Sequence, residues 1–147
     1  MSKRSFYQSY LPYLLAQAAH RQSIRFHREL KQRGIRELDW RILATLSGSS
    51  PRTVNDLAAE TIVPQPTMSR RLSQMERNGL VRRAVDGNDA RVVFISLTTK
   101  GAALASDLIK HAQAAQRRDA AGLSAAEKQQ LGEMLSRLIE IDASDVA

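Results

Sequence analysis

The chain has 147 residues and carries 22 Lys and Arg against 15 Asp and Glu, a formal charge of +7. That length fits one compact subunit with a buried core, and 43% hydrophobic with 25% charged residues is a globular balance rather than a disordered one. The absence of cysteine excludes disulfides, thiolate catalysis and cysteine-bound zinc, and no apolar run approaches the ~20 residues of a membrane-spanning helix.

The charge is unevenly spread. Residues 1–36 hold 8 basic and 1 acidic side chains, residues 62–100 hold 7 and 3, and the last 47 residues hold more acids than bases. A basic central segment beside an acidic tail points to a polyanion-binding face on a near-neutral scaffold. Lys3 and Arg4 ahead of "YLPYLLAQAA" imitate a signal peptide, but Gln8, Ser9, Pro12 and Gln17 interrupt the apolar run. A helical period accounts for it better, so the expected location is the cytoplasm, with no membrane partner.

Tyr7, Leu11, Leu14 and Ala18 share one helical face, which predicts a long helix from about Ser9 to Gln32 with Ser9 as its cap. Pro12 then falls in the first turn, and Gly34 ends the segment. "LDWRILATL" (38–46) predicts a second helix with Asp39 as its cap. "GSSPR" (48–52) reads as a loop, and "TVND" (53–56) as a capping box that opens a third helix. "IVP" (62–64) is a turn, and prolines at 64 and 66 mark the start of a fourth helix ending near Asn78, with Gly79 as its left-handed terminator. "LVRRAV" (80–85) and "RVVFISL" (91–97) are strand-like runs around "DGNDA", a hairpin signal. Thr98 caps a helix to about Ala120. "SAAE" (124–127) is a second capping box for a last helix to about Asp142, striped with Leu131, Leu135, Leu138 and Ile139 or Ile141.

The expected fold is mainly α with a small β-wing. A winged helix-turn-helix lobe (38–98) lies between an N-terminal dimerisation helix (1–37) and C-terminal dimerisation helices (99–147). Within the fourth helix, Met68, Leu72 and Met75 recur at i, i+4 and i+7 and form the inward face. Pro66, Arg70, Ser73 and Arg77 point the other way, with Ser69 and Gln74 beside them and Gln65 and Thr67 in the first turn. Amides, hydroxyls and guanidinium groups of this kind read base edges and phosphates in a major groove. An ordinary solvated face mixes signs, whereas Glu76 is the only acid between residues 61 and 85. On the hairpin, Asp89 and Arg91 are i, i+2. On an extended strand the carboxylate would brace the guanidinium for entry into a narrow minor groove. The candidate DNA-binding set is therefore Thr53, Gln65, Pro66, Thr67, Ser69, Arg70, Arg71, Ser73, Gln74, Arg82, Asp89 and Arg91.

"LDWRILATL", "TVNDLAAETIVPQPTMSRRLSQMERNGLVRR", the Asp89-Ala90-Arg91 triplet and "ISLTTKG" (95–101) together resemble MarR-type winged-helix transcriptional regulators over essentially the whole chain. The resemblance implies a homodimer with interlocked terminal helices, placing two recognition helices in successive major grooves of a pseudo-palindromic duplex. It also implies a pocket for a small aromatic or phenolic effector. Tyr13, His20, Arg21, Trp40 and Arg41 are the candidate pocket residues. The family's wing often carries further basic residues beside its Arg, whereas Ala90 and Val92 flank Arg91 here. The expected function is that of a sequence-specific repressor of transcription, released by such an effector and needing no cofactor. The alternatives are a sequence-indifferent architectural DNA binder or a winged-helix protein-interaction module. No H-E-x-x-H, G-x-S-x-G or phosphate-cradling glycine loop is present, and His20 and His27 are seven residues apart, too far along a helix to share a metal. An enzyme is not expected.

Overall fold

The computed structural model describes residues 6–140. A short 3-10 turn (Phe6–Gln8) precedes α1 (Leu11–Gln32), α2 (Glu37–Leu46), β1 (Arg52–Thr53), α3 (Val54–Thr61) and α4 (Gln65–Arg77). These are followed by β2 (Val81–Val85), β3 (Val93–Leu97), α5 (Thr99–Asp119) and α6 (Ala125–Glu140). Lys3, Arg4, Ile141 and Asp142, which enter the sequence reading, lie outside the described residues.

The capping chemistry explains most boundaries. Thr53 Oγ1 accepts from the Asp56 amide at 3.1 Å, and the Asp56 carboxylate accepts from the Thr53 amide at 3.0 Å, so α3 starts where its box is written. Ser124 and Glu127 repeat the device at the start of α6. Gly79 terminates α4 at φ +71°. Two expected caps are not caps. Ser9 donates its hydroxyl to the Phe6 carbonyl at 3.1 Å, and α1 begins two residues later. Asp39 is the third residue of α2, whose N-cap is Arg36 with no side-chain bond; the carboxylate is turned inward instead.

The three strands form an antiparallel sheet in the order β1-β3-β2. The hairpin register pairs Val81 with Leu97, Arg83 with Ile95 and Val85 with Val93. β1 is absent from the sequence reading, where Arg52 belonged to a loop. It has only two residues, too few for any alternation to reveal, and it exists because Arg52 and Thr53 pair with Ile95 and Phe94 of β3. Thr98 joins this sheet to α5. Its hydroxyl lies 2.6 Å from the Gly79 carbonyl, and its Oγ1 accepts the Gly101 amide at 3.0 Å. Gly101 itself has no alternative, because a Cβ there would sit 1.9 Å from the Leu80 carbonyl oxygen. That close approach is the physical content of the "LTTKG" stretch.

The chain forms two compact units. One is Ser23–Gln113, and the other comprises the described residues 6–22 and 114–140. Both boundaries fall inside long helices, so the winged lobe carries parts of α1 and α5 with it. Ser23–Gln113 holds nearly all of the buried core: Phe26 and Leu30, Ile42 and Leu43, Leu57, then Met68, Leu72 and Met75, with Ile95 and Leu108. The other unit is apolar without being buried. Tyr7, Leu11, Leu14, Leu131, Met134, Leu138 and Ile139 are all exposed large hydrophobics, and α6 has no buried residue.

Candidate nucleic-acid interface

The inward stripe of α4 is fully buried, with Met68, Leu72 and Met75 each at 0% exposure. That anchorage fixes which side chains face out. Gln65, Pro66, Thr67, Arg70 and Arg77 are exposed, while Ser69, Arg71, Ser73 and Gln74 are intermediate. Gln65 is the first helical residue and Pro66 the second, a position that needs no backbone donor.

Arg71 departs from its expected role. Its Nε and Nη2 bond the two carboxylate oxygens of Asp39 in a forked pair, with the side chains only 14% and 9% exposed. Arg71 therefore fastens α4 to α2 rather than facing outward. The reason is register: Arg71 neighbours the buried Leu72, so its stem leaves toward α2, where the inward-turned Asp39 needs a partner. The one acid of the outer face is also occupied. Glu76 lies 3.4 Å from Arg83 Nε, and Arg83 Nη2 donates to Ser73 Oγ at 3.0 Å. Arg82, on the opposite face of the strand, bonds Ser96 Oγ at 3.0 Å. Arg77 donates to Gln74 Oε1 at 2.7 Å. Arg70 has no hydrogen bond or ion pair among the described residues.

The wing differs from the sequence reading in one detail. Residues 86–92 close the hairpin with the Asp86 amide on the Val92 carbonyl at 2.9 Å and the Val92 amide on the Asp89 carbonyl at 3.0 Å. Arg91 is in this turn and not on an extended strand. Asp89 accepts from the backbone amide of Arg91 at 2.9 Å, so it shapes the turn and does not brace the guanidinium. The Arg91 side chain is unpaired among the described residues.

Two clefts flank α4. One, of about 300 Å³, is lined by Thr53, Asn55, Gln65 and Arg91, so three separate sequence segments converge there. The other, of about 510 Å³, is lined by Thr67, Arg70, Gln74 and Arg77, with Arg71 and with Arg36 from the start of α2. Asn55 and Arg36 were not among the candidate residues. Asn55 is legible afterwards as an exposed amide in the first turn of a capped helix; nothing local to Arg36 signals its position.

The candidate effector residues divide between the two units. Tyr13, His20 and Arg21 belong to the unit of residues 6–22 and 114–140, where Tyr13 packs edge-on to Tyr7 at 5.5 Å. Trp40 and Arg41 belong to the other. Trp40 packs edge-on to Phe26 at 5.0 Å, and Arg41 is ion-paired with Glu37 and donates to the Thr61 carbonyl at 3.3 Å. A mainly apolar cleft of about 510 Å³ within the first unit is lined by Ala18, Gln22, Gln116, Lys128, Leu131 and Leu135, among others, and by none of the five. Among the described residues no helix is long and apolar enough to cross a membrane, and no cluster of His, Asp and Glu has metal-binding geometry.

A model of the MarR family matches residues 33–92. The homoprotocatechuate degradative operon repressor of Escherichia coli is 34% identical over 115 residues, which are 78% of each chain. A MarR family transcriptional regulator from Silicibacter pomeroyi superposes with a TM-score of 0.80 at 33% identity, over 92% of this chain and 99% of the other. NadR in complex with 4-hydroxyphenylacetate superposes with a TM-score of 0.85 at 26% identity, over 97% of this chain and all of the other.

Proposed function

The chain belongs to the MarR family of transcriptional regulators, and from that premise we propose that it is a homodimeric, effector-released repressor acting on duplex DNA in the cytoplasm. The observation that carries this reading is the outer face of α4, which presents Gln65, Thr67 and Arg70 on a helix anchored by three fully buried side chains. A rigid helix with free amide, hydroxyl and guanidinium groups can read base edges, while phosphate contacts supply most of the affinity. An unpaired Arg91 in the wing turn supplies a cation for the adjoining groove, and Thr53 and Asn55 line the cleft beside it.

Dimerisation follows from the surface of residues 6–22 and 114–140. Exposed aromatic and aliphatic side chains on α1 and α6 form an apolar surface of the kind that a monomer rarely leaves in water. A second copy covers it and sets the spacing of the two recognition helices, about 34 Å for successive major grooves. The effector is a small aromatic acid. The support is chemical: one relative is named for a phenolic acid's degradative operon, and another structure holds a phenolic acid. Such a ligand acts by binding the state with mismatched helix spacing more tightly; equal affinity for both states would shift nothing.

The test is selection of a duplex from a random pool, followed by binding measurements on the selected sequence and a scrambled one. Arg70→Ala is expected to lose about 1–3 kcal/mol on the selected duplex and to narrow its advantage over the scramble. Equal losses on both would make Arg70 a phosphate contact. Wild-type protein with no preference would point to the architectural reading, and release by none of a panel of aromatic acids would remove the effector.

A further inference from the structure

The cleft on the α2 side of the recognition helix contains more positive charge than base reading requires. Thr67, Arg70, Gln74 and Arg77 lie on one stripe of α4, and Arg36 enters from the start of α2. Neither Arg36 nor Arg70 has a side-chain partner among the described residues, and Arg77 is held by the neutral Gln74 amide. Arg71 also lines the cleft, but its charge is balanced by Asp39. No carboxylate side chain lines it. Three unbalanced guanidinium groups thus share a space of about 510 Å³. Their mutual repulsion opposes folding unless an anion relieves it.

The geometry of the groove supplies the anion. An α-helix with side chains is about 10–12 Å across and the major groove about 12 Å wide, so a helix inside it has a phosphate backbone along each flank. The cleft runs along one flank of α4. Arg36 lies outside the helix-turn-helix, as the N-cap of α2, too far along the chain from the reading positions to belong to their stripe. Arginine also suits the task, since its planar fork grips phosphate oxygens in pairs.

We propose that Arg36, with Arg77, forms a backbone-phosphate clamp beside the recognition helix, positioning α4 in the groove while Arg70 stays free to reach the base edges. The clamp rests on the DNA-binding reading above and adds a contact from outside the winged motif. It contributes affinity without sequence information.

The test compares Arg36→Gln, Arg36→Lys and Arg117→Gln with wild type, on the selected and scrambled duplexes, over a range of KCl. Arg117 is exposed on α5 and does not line the cleft, so it controls for net charge. Each phosphate contact contributes about 0.9 to the slope of log K against log salt, and a dimer has two clamps. Arg36→Gln is expected to flatten the slope by about 1.8, to weaken both duplexes by the same factor and to leave their ratio unchanged. Arg36→Lys retains the slope, and Arg117→Gln matches wild type. A walk of neutral methylphosphonates along the duplex then identifies one position per half-site where wild type loses affinity and Arg36→Gln loses nothing further. An unchanged slope in Arg36→Gln, an equal change in Arg117→Gln, or a loss confined to the selected duplex overturns the clamp while wild-type binding stands. Wild type that binds neither duplex overturns the DNA-binding reading itself.

Discussion

Removing the carboxylate of Asp39 tests whether the Asp39–Arg71 pair holds the recognition helix to its support. The two side chains are 9% and 14% exposed and bond through both carboxylate oxygens. Breaking a buried pair by deleting one partner costs about 3–5 kcal/mol, and the small residual exposure places Asp39→Leu near 3. Arg71→Met should cost less, about 2 kcal/mol, because the carboxylate left behind sits in the first turn of α2, where the helix dipole stabilises an anion. The double variant Asp39→Leu/Arg71→Met leaves no charge stranded and should lie within about 1 kcal/mol of wild type. Urea unfolding at fixed protein concentration reads these differences as shifts in midpoint, the concentration being held because dimerisation contributes to stability. At this chain length 3 kcal/mol corresponds to roughly 6–12 °C in Tm. The refolded double variant should also keep its preference between the selected and scrambled duplexes, since Arg71 does not face the DNA. Singles that cost under about 1 kcal/mol, or a double that equals their sum, would refute the coupling. A lost preference in a stable double would return Arg71 to the reading face.

Ile62 is a β-branched residue at φ 58° in the turn between α3 and α4, and it is 88% exposed. Left-handed backbone costs a non-glycine residue about 1–2 kcal/mol, partly offset on substitution by the greater entropy of unfolded glycine. Ile62→Gly should therefore gain about 0.5–1 kcal/mol, and a fall in Tm would show that the turn is not strained. Gly101→Ala drives a Cβ toward the Leu80 carbonyl and should cost about 3 kcal/mol or more in urea unfolding; a neutral result would mean that the start of α5 shifts freely. Acid should destabilise the fold through three carboxylates. Hydrogen bonds from Thr53 hold Asp56 below its ordinary 3.8, the Arg33 guanidinium does the same for Asp107, and bonds from Ser124 hold Glu127 below 4.5. Each group binds fewer protons folded than unfolded, so its contribution is complete above the ordinary value and disappears as pH falls through the lowered one. A urea midpoint that stays level from pH 6 down to pH 3 would contradict this.

Local devices were readable from the chain because their partners are three or four residues away. The capping boxes at Thr53 and Ser124, the Gly79 terminator, and the Met68, Leu72, Met75 stripe need only helical geometry, and each is found in the structure. The resemblance to one family likewise rested on contiguous motifs, and it extended the reading from a DNA-binding face to a homodimer and an effector. Charge assignment was less legible. Arg70 and Arg71 are adjacent and chemically alike, yet one is free and the other is tied to Asp39, 32 residues away. No local pattern separates them, since what distinguishes them is the inward-turned carboxylate on another helix.

The same division holds across the molecule. Composition, helical period and turn chemistry determined that this is a basic, mainly helical, winged protein with an acid-poor recognition helix, because those properties arise within one or two turns of chain. Tertiary structure alone decided that Arg52 and Thr53 make a third strand, that Asp89 holds a backbone amide rather than a guanidinium, and that Arg36 joins the flank of α4. Each of these depends on what another segment brings within hydrogen-bonding or Coulombic reach, a distance through space that spacing along the chain does not encode.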